Sequence, residues 1–208
     1  MSKKKIKKVK ITSKERYEFL INARNFHYEN FNKWTTYFYV AIGTLFVGYY
    51  TLVTQQKELL KEEIALLILG YTTSLFWYWS TKGYYYWNIN FITLVNECEK
   101  DLLKLAPEER IYYVFANKET QNNYWNPISG ANISTSKVAI LFSFIVTLVW
   151  NVLLFDKLNS VIICNFNFLI VFTFSIILTL LLSYSIPQTF LKSKIDHFPN
   201  LKIEQKKE

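Results

Sequence analysis

Charged and apolar positions are sorted along this chain rather than mixed. The windows 34–56, 64–81, 138–155 and 158–191, 93 residues in all, contain no Asp, Glu, Lys, Arg or His. An apolar helix needs about 20 residues to cross the ~30 Å hydrocarbon core of a bilayer, so the pattern predicts four transmembrane helices, over 34–54, 64–81, 138–155 and 161–183. The fourth window exceeds one crossing, and Asn159, Asn165 and Asn167 at its start move the predicted entry to about Val161. Before the first span, Tyr17, Leu20, Ile21, Tyr28 and Phe31 recur at helical spacing behind a candidate cap at Ser13, which predicts an amphipathic helix over 13–33.

The second span has no evident stop. Between Ile64 and Leu105 there is no Pro, and only Gly70 and Gly83 weaken a helix. Beyond Lys82, the residues Trp87, Phe91, Val95, Cys98, Leu102 and Leu105 follow one another three or four apart, an apolar stripe that water alone does not reward. The span is therefore expected to run on as a stalk until Pro107, with a short helix and an ordered loop over 107–136 and a final stop at Pro187. The fold class is all-α: a polytopic membrane protein with four transmembrane helices and a helical cytoplasmic region. Its parts are a basic tail and amphipathic helix (1–33), a first transmembrane hairpin (34–81), the stalk and loop (82–137), a second hairpin (138–186) and a charged tail (187–208).

Charge sets the orientation. Lys and Arg are retained on the cytoplasmic side during insertion, and 21 of the 24 fall in 1–33, 82–137 and 192–208, against three in the linkers 57–63 and around Asp156. Both termini are then cytoplasmic, in the inner membrane of a bacterium. Counting the acids, the inner face carries +9 and the outer face −1 of the net +8. The basic start SKKKIKKVK precedes an apolar run too long for a signal peptide. It reads as an uncleaved tail that sets topology, and alternatively as a contact for lipid headgroups or nucleic acid.

Little chemistry is on offer. Cys98 and Cys164 form no CxxC, and His27 and His197 have no ligand-spaced partner, so neither a metal, a cofactor nor a catalytic residue is expected. Arg24 and His27 stand closer together than the Arg-His motif of a helical nuclease. The spans lack the intramembrane ionisable residue that marks a pump or ion-coupled transporter. What they do hold is small and hydroxylated: Gly70, Thr73, Ser74 and Trp77 on one face of span two, and Ser143, Thr147 and Asn151 on one face of span three. Such a face either packs helices closely or lines a lumen. In the stalk, Tyr84, Asn88, Phe91, Val95, Glu97 and Glu99 are the assembly candidates, with Arg16 and Arg24 as partners for the carboxylates.

The segment from span two into the stalk resembles the RipA-like octameric membrane proteins of bacteria. The residues that carry the resemblance are Trp77, Tyr84, Asn88, the apolar Ile92, Leu94 and Val95, then Glu97, Glu99 and Lys100. Arg24 followed by ENF upstream, and Trp125 before STSKVAILF downstream, are similar too. The sequence departs from the family pattern in having Gly83 where a Ser precedes the Tyr, and in its fourth span. In size, span count and richness in Lys, Asn, Ile, Phe and Tyr it looks like the four-pass accessory proteins of type VI-B CRISPR systems. The resemblance implies a homo-oligomer, an octamer, acting in antiphage defence beside an RNA-guided nuclease.

Together these observations lead to a non-enzymatic, homo-oligomeric channel or pore-like accessory protein in the bilayer. The alternative is a membrane-tethered regulator that holds a nucleic-acid-bound partner on its basic face. An enzyme acting on lipid or RNA would need a cluster of catalytic groups that the sequence does not present.

Overall fold

The computed structural model describes residues 12–55, 59–113, 124–125, 127–128, 130–162 and 166–193. The basic run 2–10, loop residues 114–123, Cys164, Asn165, His197 and the tail from 194 lie outside the described residues. Among those described, four long helices carry the fold: α1 (Ser13–Val53), α2 (Leu60–Glu97), α3 (Thr135–Ile162) and α4 (Phe168–Ile186). The all-α class expected from the sequence is found. The helix α1, the helix α3 and the stretch Phe168–Leu191 are long and apolar enough to cross a membrane. The helix α2 is as long, but Tyr71, Thr72, Thr73, Ser74 and Tyr78 dilute the apolar character of its charge-free stretch.

Helix ends differ from the sequence expectation where side chains act on the backbone. Thr12, not Ser13, caps α1: its hydroxyl accepts from the Glu15 amide at 3.2 Å, and the Glu15 carboxylate accepts from the Thr12 amide at 2.7 Å. The helix then continues unbroken into the charge-free segment. At its far end α2 stops well before Pro107. A π-helical turn, Cys98–Leu102, leads to Lys104 in the left-handed conformation (φ 54°), and the Leu105 amide reaches back to the Glu99 carbonyl at 3.0 Å. The left-handed residue that commonly ends a helix is here a lysine, closed by bonds wider than those of an α-helix.

The expected break around Asp156 is corrected. The helix α3 runs through Asp156 and Lys157 to Ile162, because Lys157 is held in an ion pair with Glu63 and the turn is made later by Asn159. The Asn159 side chain donates to the Phe166 carbonyl and accepts from the Phe166 amide, both at 3.1 Å. Asn167 then caps α4 by accepting from the Leu169 amide at 3.2 Å. Two of the three Asn residues that marked this segment thus build its turn.

The chain divides into two compact units. Unit 1 comprises Met1–Thr44 and Ser80–Ser143, and unit 2 comprises Leu45–Trp79 and Phe144–Glu208. Unit 1 holds most of the charge-bearing helix lengths. Its buried residues include Thr81, Tyr84, Asn88 and Val95 on α2, and Cys98 and Glu99 in the π-helical turn that follows. Unit 2 is built from apolar helix segments and buries Leu67, Tyr71, Leu75, Trp77, Trp150 and Val171 together with Ser74, Thr147, Asn151, Ser175 and Thr179.

Candidate functional site

In unit 1 the aromatic residues of α1 close over Tyr84. The Phe31 ring stacks on it at 3.7 Å between centroids and the His27 ring at 4.6 Å, while Tyr28 meets it edge-on at 5.9 Å. His27 also tilts against Phe91 at 5.1 Å. Loss of hydration in this stack lowers the His27 pKa from its ordinary value, so the imidazole is neutral near pH 7. Arg24 faces a different partner: its guanidinium donates to the Tyr112 hydroxyl at 3.0 Å and lies over the same ring. The two residues that superficially suggest a nuclease pair are each engaged separately.

Three residue types meet at Glu99. Its carboxylate is fully buried in the π-helical turn. It accepts from the Tyr17 hydroxyl at 2.8 Å and from the Ile111 amide at 3.3 and 3.4 Å. Burial, then the bond to Glu99 and its charge, push the Tyr17 phenol up to about 12. The cationic partners expected for this carboxylate are elsewhere: Arg16 is exposed, and Arg24 is on Tyr112. Glu97 is exposed on the opposite side of α2. Among the assembly candidates, Tyr84, Asn88, Val95 and Glu99 are therefore buried inside the chain, Phe91 is half-buried, and Glu97 points away.

The apolar stripe that begins on α2 is only partly covered within the chain. Phe91, Val95 and Cys98 lie inward, but Trp87 is 49% exposed and Leu102 38% exposed. Tyr86, Trp87 and Leu94 on α2 and Phe19 and Phe26 on α1 form apolar surface on helix lengths that also bear charge.

In unit 2 the polar residues of three helices converge. The Asn151 amide of α3 donates to the Ser175 carbonyl at 2.9 Å and to the Thr179 hydroxyl at 2.8 Å, both on α4. The Tyr71 hydroxyl of α2 shares a hydrogen bond with Thr179 at 3.3 Å. Ser74 bonds back to the Tyr71 carbonyl at 2.9 Å. Gly70 sits against the indole of Trp150, which also packs on Phe46 at 4.3 Å. Gly70, Ser74 and Trp77 are buried within this unit and Thr73 is half-buried. In unit 1, Ser143 of the span-three face shares a hydrogen bond with Thr81 at 3.0 Å.

The α4 side of this network was not singled out from the sequence. Val171, Ser175, Thr179 and Ser183 are all buried and stand four apart, and the hydroxyl on three successive turns, Ser175, Thr179 and Ser183, was the signal that finds this face. Among the described residues, no three His, Cys, Asp or Glu side chains come together to hold a metal.

A family model described as the Octameric membrane protein family (8xMP) matches residues 14–159. The match takes in α1, α2 and nearly all of α3, and leaves α4 beyond it. No curated protein and no solved structure matches the chain.

Proposed function

The chain belongs to the octameric membrane protein family, and on that premise we propose that its copies assemble into a non-enzymatic, pore-like complex that acts in bacterial antiphage defence. The observation that supports assembly is the apolar surface on charge-bearing helix lengths. Phe19 and Phe26, seven residues apart on α1, are 73% and 66% exposed, and Tyr86 and Trp87 on α2 are 71% and 49% exposed. Apolar surface of this kind facing water marks a protein contact. Covering it with a different face of the neighbouring copy, head to tail, closes a ring.

Within the bilayer, the Gly70 to Trp77 seam is already occupied inside each subunit. A conduit between copies would then use faces the single chain leaves open. In the charge-free stretch of α1 only Ile42 and Tyr49 are buried among the described residues, and Thr36, Gly43 and Thr44 are exposed on it. The Thr36 and Thr44 hydroxyls bond to backbone carbonyls one turn earlier at 2.9 Å, so they add no unsatisfied donor to the lipid-facing or lumen-facing side. The role in defence rests on the resemblance to type VI-B accessory proteins.

The test is reconstitution of full-length protein into vesicles carrying a potassium-sensitive dye, together with the membrane potential of expressing cells under phage challenge. Flux that a Trp87→Ser, Leu94→Ser variant loses, and a potential that collapses on challenge, are expected. Tight vesicles containing inserted protein, with an undisturbed potential, contradict the pore. Should protection instead vanish when Lys3 to Lys10 are neutralised while flux persists, the tethered-regulator alternative is the better reading.

A further inference from the structure

Trp125 is 97% exposed and Ile128 is 93% exposed on the loop that leads into α3. The loop is held in that attitude, since the Tyr124 hydroxyl donates to the Asn132 carbonyl at 3.3 Å. Unit 1 also contains a groove of about 340 Å³, walled by His27, Phe31, Trp34 and Phe38 of α1 and by Tyr84 and Trp87 of α2. We infer that Trp125 of one copy seats in this groove of the next, so that every groove is completed by its neighbour. The inference rests on the assembly proposed above and is independent of conduction.

Loop and groove lie on different sides of α2. Asn132, to which the loop is tied, shares a cleft with Tyr85, Asn88, Ile89 and Ile92, whereas the groove uses Ser80, Tyr84 and Trp87. At 3.6 residues per turn these two sets of α2 positions point roughly 120° apart. A closed ring needs two different faces on each copy that fit one another, and these are two such faces. They also share a depth. Trp34 and Ser80 stand at the ends of charge-free runs, and Asn132 is six residues ahead of the run that begins at Val138, so both surfaces sit at the headgroup boundary. A ring axis along the membrane normal keeps all copies at one depth, and only surfaces at a common depth can then meet.

The chemistry of the two surfaces matches. Residues 120–136 carry no charge, and the described lining of the groove holds no Lys, Arg, Asp or Glu. Seating one on the other strips water from apolar rings and strands no ion. An indole buries about 150–250 Å² and is among the side chains that most often anchor a protein contact. Asn30 and Ser80 in the same lining offer side-chain oxygens to its N–H. Lipid over Trp125 would leave the groove open, whereas a neighbouring copy of this octameric family covers both.

The experiment uses the full-length protein in lipid nanodiscs with photoreactive p-benzoyl-phenylalanine in place of Trp125. Illumination is expected to give two-chain adducts on a denaturing gel, with the attachment mapped by peptide mass to 27–38 or 80–87 of the second chain. In micelles, the protein concentration at which half the assembled mass is lost should rise at least tenfold in Trp125→Ser and in Trp34→Ser. Both side chains are exposed, so these variants keep the fold of the single chain. Adducts confined to lipid, to the chain that carries the probe, or to another face of the neighbour overturn the inference, and so does an assembly unmoved by Trp125→Ser. In each of these cases a wild type that still assembles leaves assembly itself intact. A monomeric wild type overturns assembly, and this contact with it.

Discussion

Gly70 lies against the indole of Trp150, so close that a Cβ on Gly70 would clash with its six-membered ring. The glycine is there because α2 and α3 approach through an aromatic side chain with no room for a methyl group between them. Gly70→Ala should overpack this contact and lower stability by about 1–3 kcal/mol. Thermal unfolding in detergent would show it. Pairing the substitution with Trp150→Leu should recover part of the loss, whereas additive losses would mean the two residues do not meet.

Asn151 is the donor that ties α3 to α4, through the Ser175 carbonyl and the Thr179 hydroxyl. Interhelical hydrogen bonds in bilayers contribute about 0.6–2 kcal/mol each. Asn151→Ala should cost about 1–3 kcal/mol, more than Thr179→Val, which leaves the bond to the Ser175 carbonyl in place. Equal stability of Asn151→Ala and wild type in a detergent-unfolding series would show the network to be energetically idle.

The Tyr17 phenol keeps its proton to about 12, against an ordinary value of 10.0, chiefly through burial and then through Glu99. A folded-state pKa above the unfolded value favours folding fully below pH 10 and loses that contribution as pH rises from 10 towards 12. Near-ultraviolet circular dichroism should therefore report loosening of unit 1 across this window. Tyr17→Phe should weaken the pH dependence, leaving the share of the buried Tyr84 phenol, which burial also raises, while lowering stability at neutral pH, because Glu99 loses a donor. An alkaline transition unchanged in Tyr17→Phe would assign it to another group.

Lys157 on α3 and Glu63 on α2 form an ion pair in which the carboxylate side chain is 9% exposed and the lysine 29%. Removing one partner of such a pair strands a poorly hydrated charge. Lys157→Met should destabilise by about 2 kcal/mol, and adding Glu63→Gln should return most of it. A double variant weaker than the single one would contradict the pairing.

The membrane class and the number of long helices were legible in the sequence because lipid punishes charge without regard to detail. Asp156 shows where that signal fails. A charge ends an apolar window but not a helix, and with Glu63 available to Lys157, α3 continues to Ile162. Of the expected stripe, Phe91, Val95 and Cys98 meet their own chain, while Trp87 and Leu102 stay exposed on it. Apolar residues occupy several faces of that helix, and spacing alone does not say which face meets its own chain. Glu99 was singled out for inter-subunit assembly, yet its carboxylate is buried on partners within its own chain that the sequence did not reveal. A tyrosine hydroxyl 82 positions away and a backbone amide leave no charge pattern to read.

Assembly is the claim on which the rest depends, and the mass of the full-length protein in lipid nanodiscs tests it most directly. A single species of eight 24.8 kDa chains that breaks down in Trp87→Ser, Leu94→Ser is the expected result. A monomer in nanodiscs, or an assembly indifferent to those two substitutions, would contradict it.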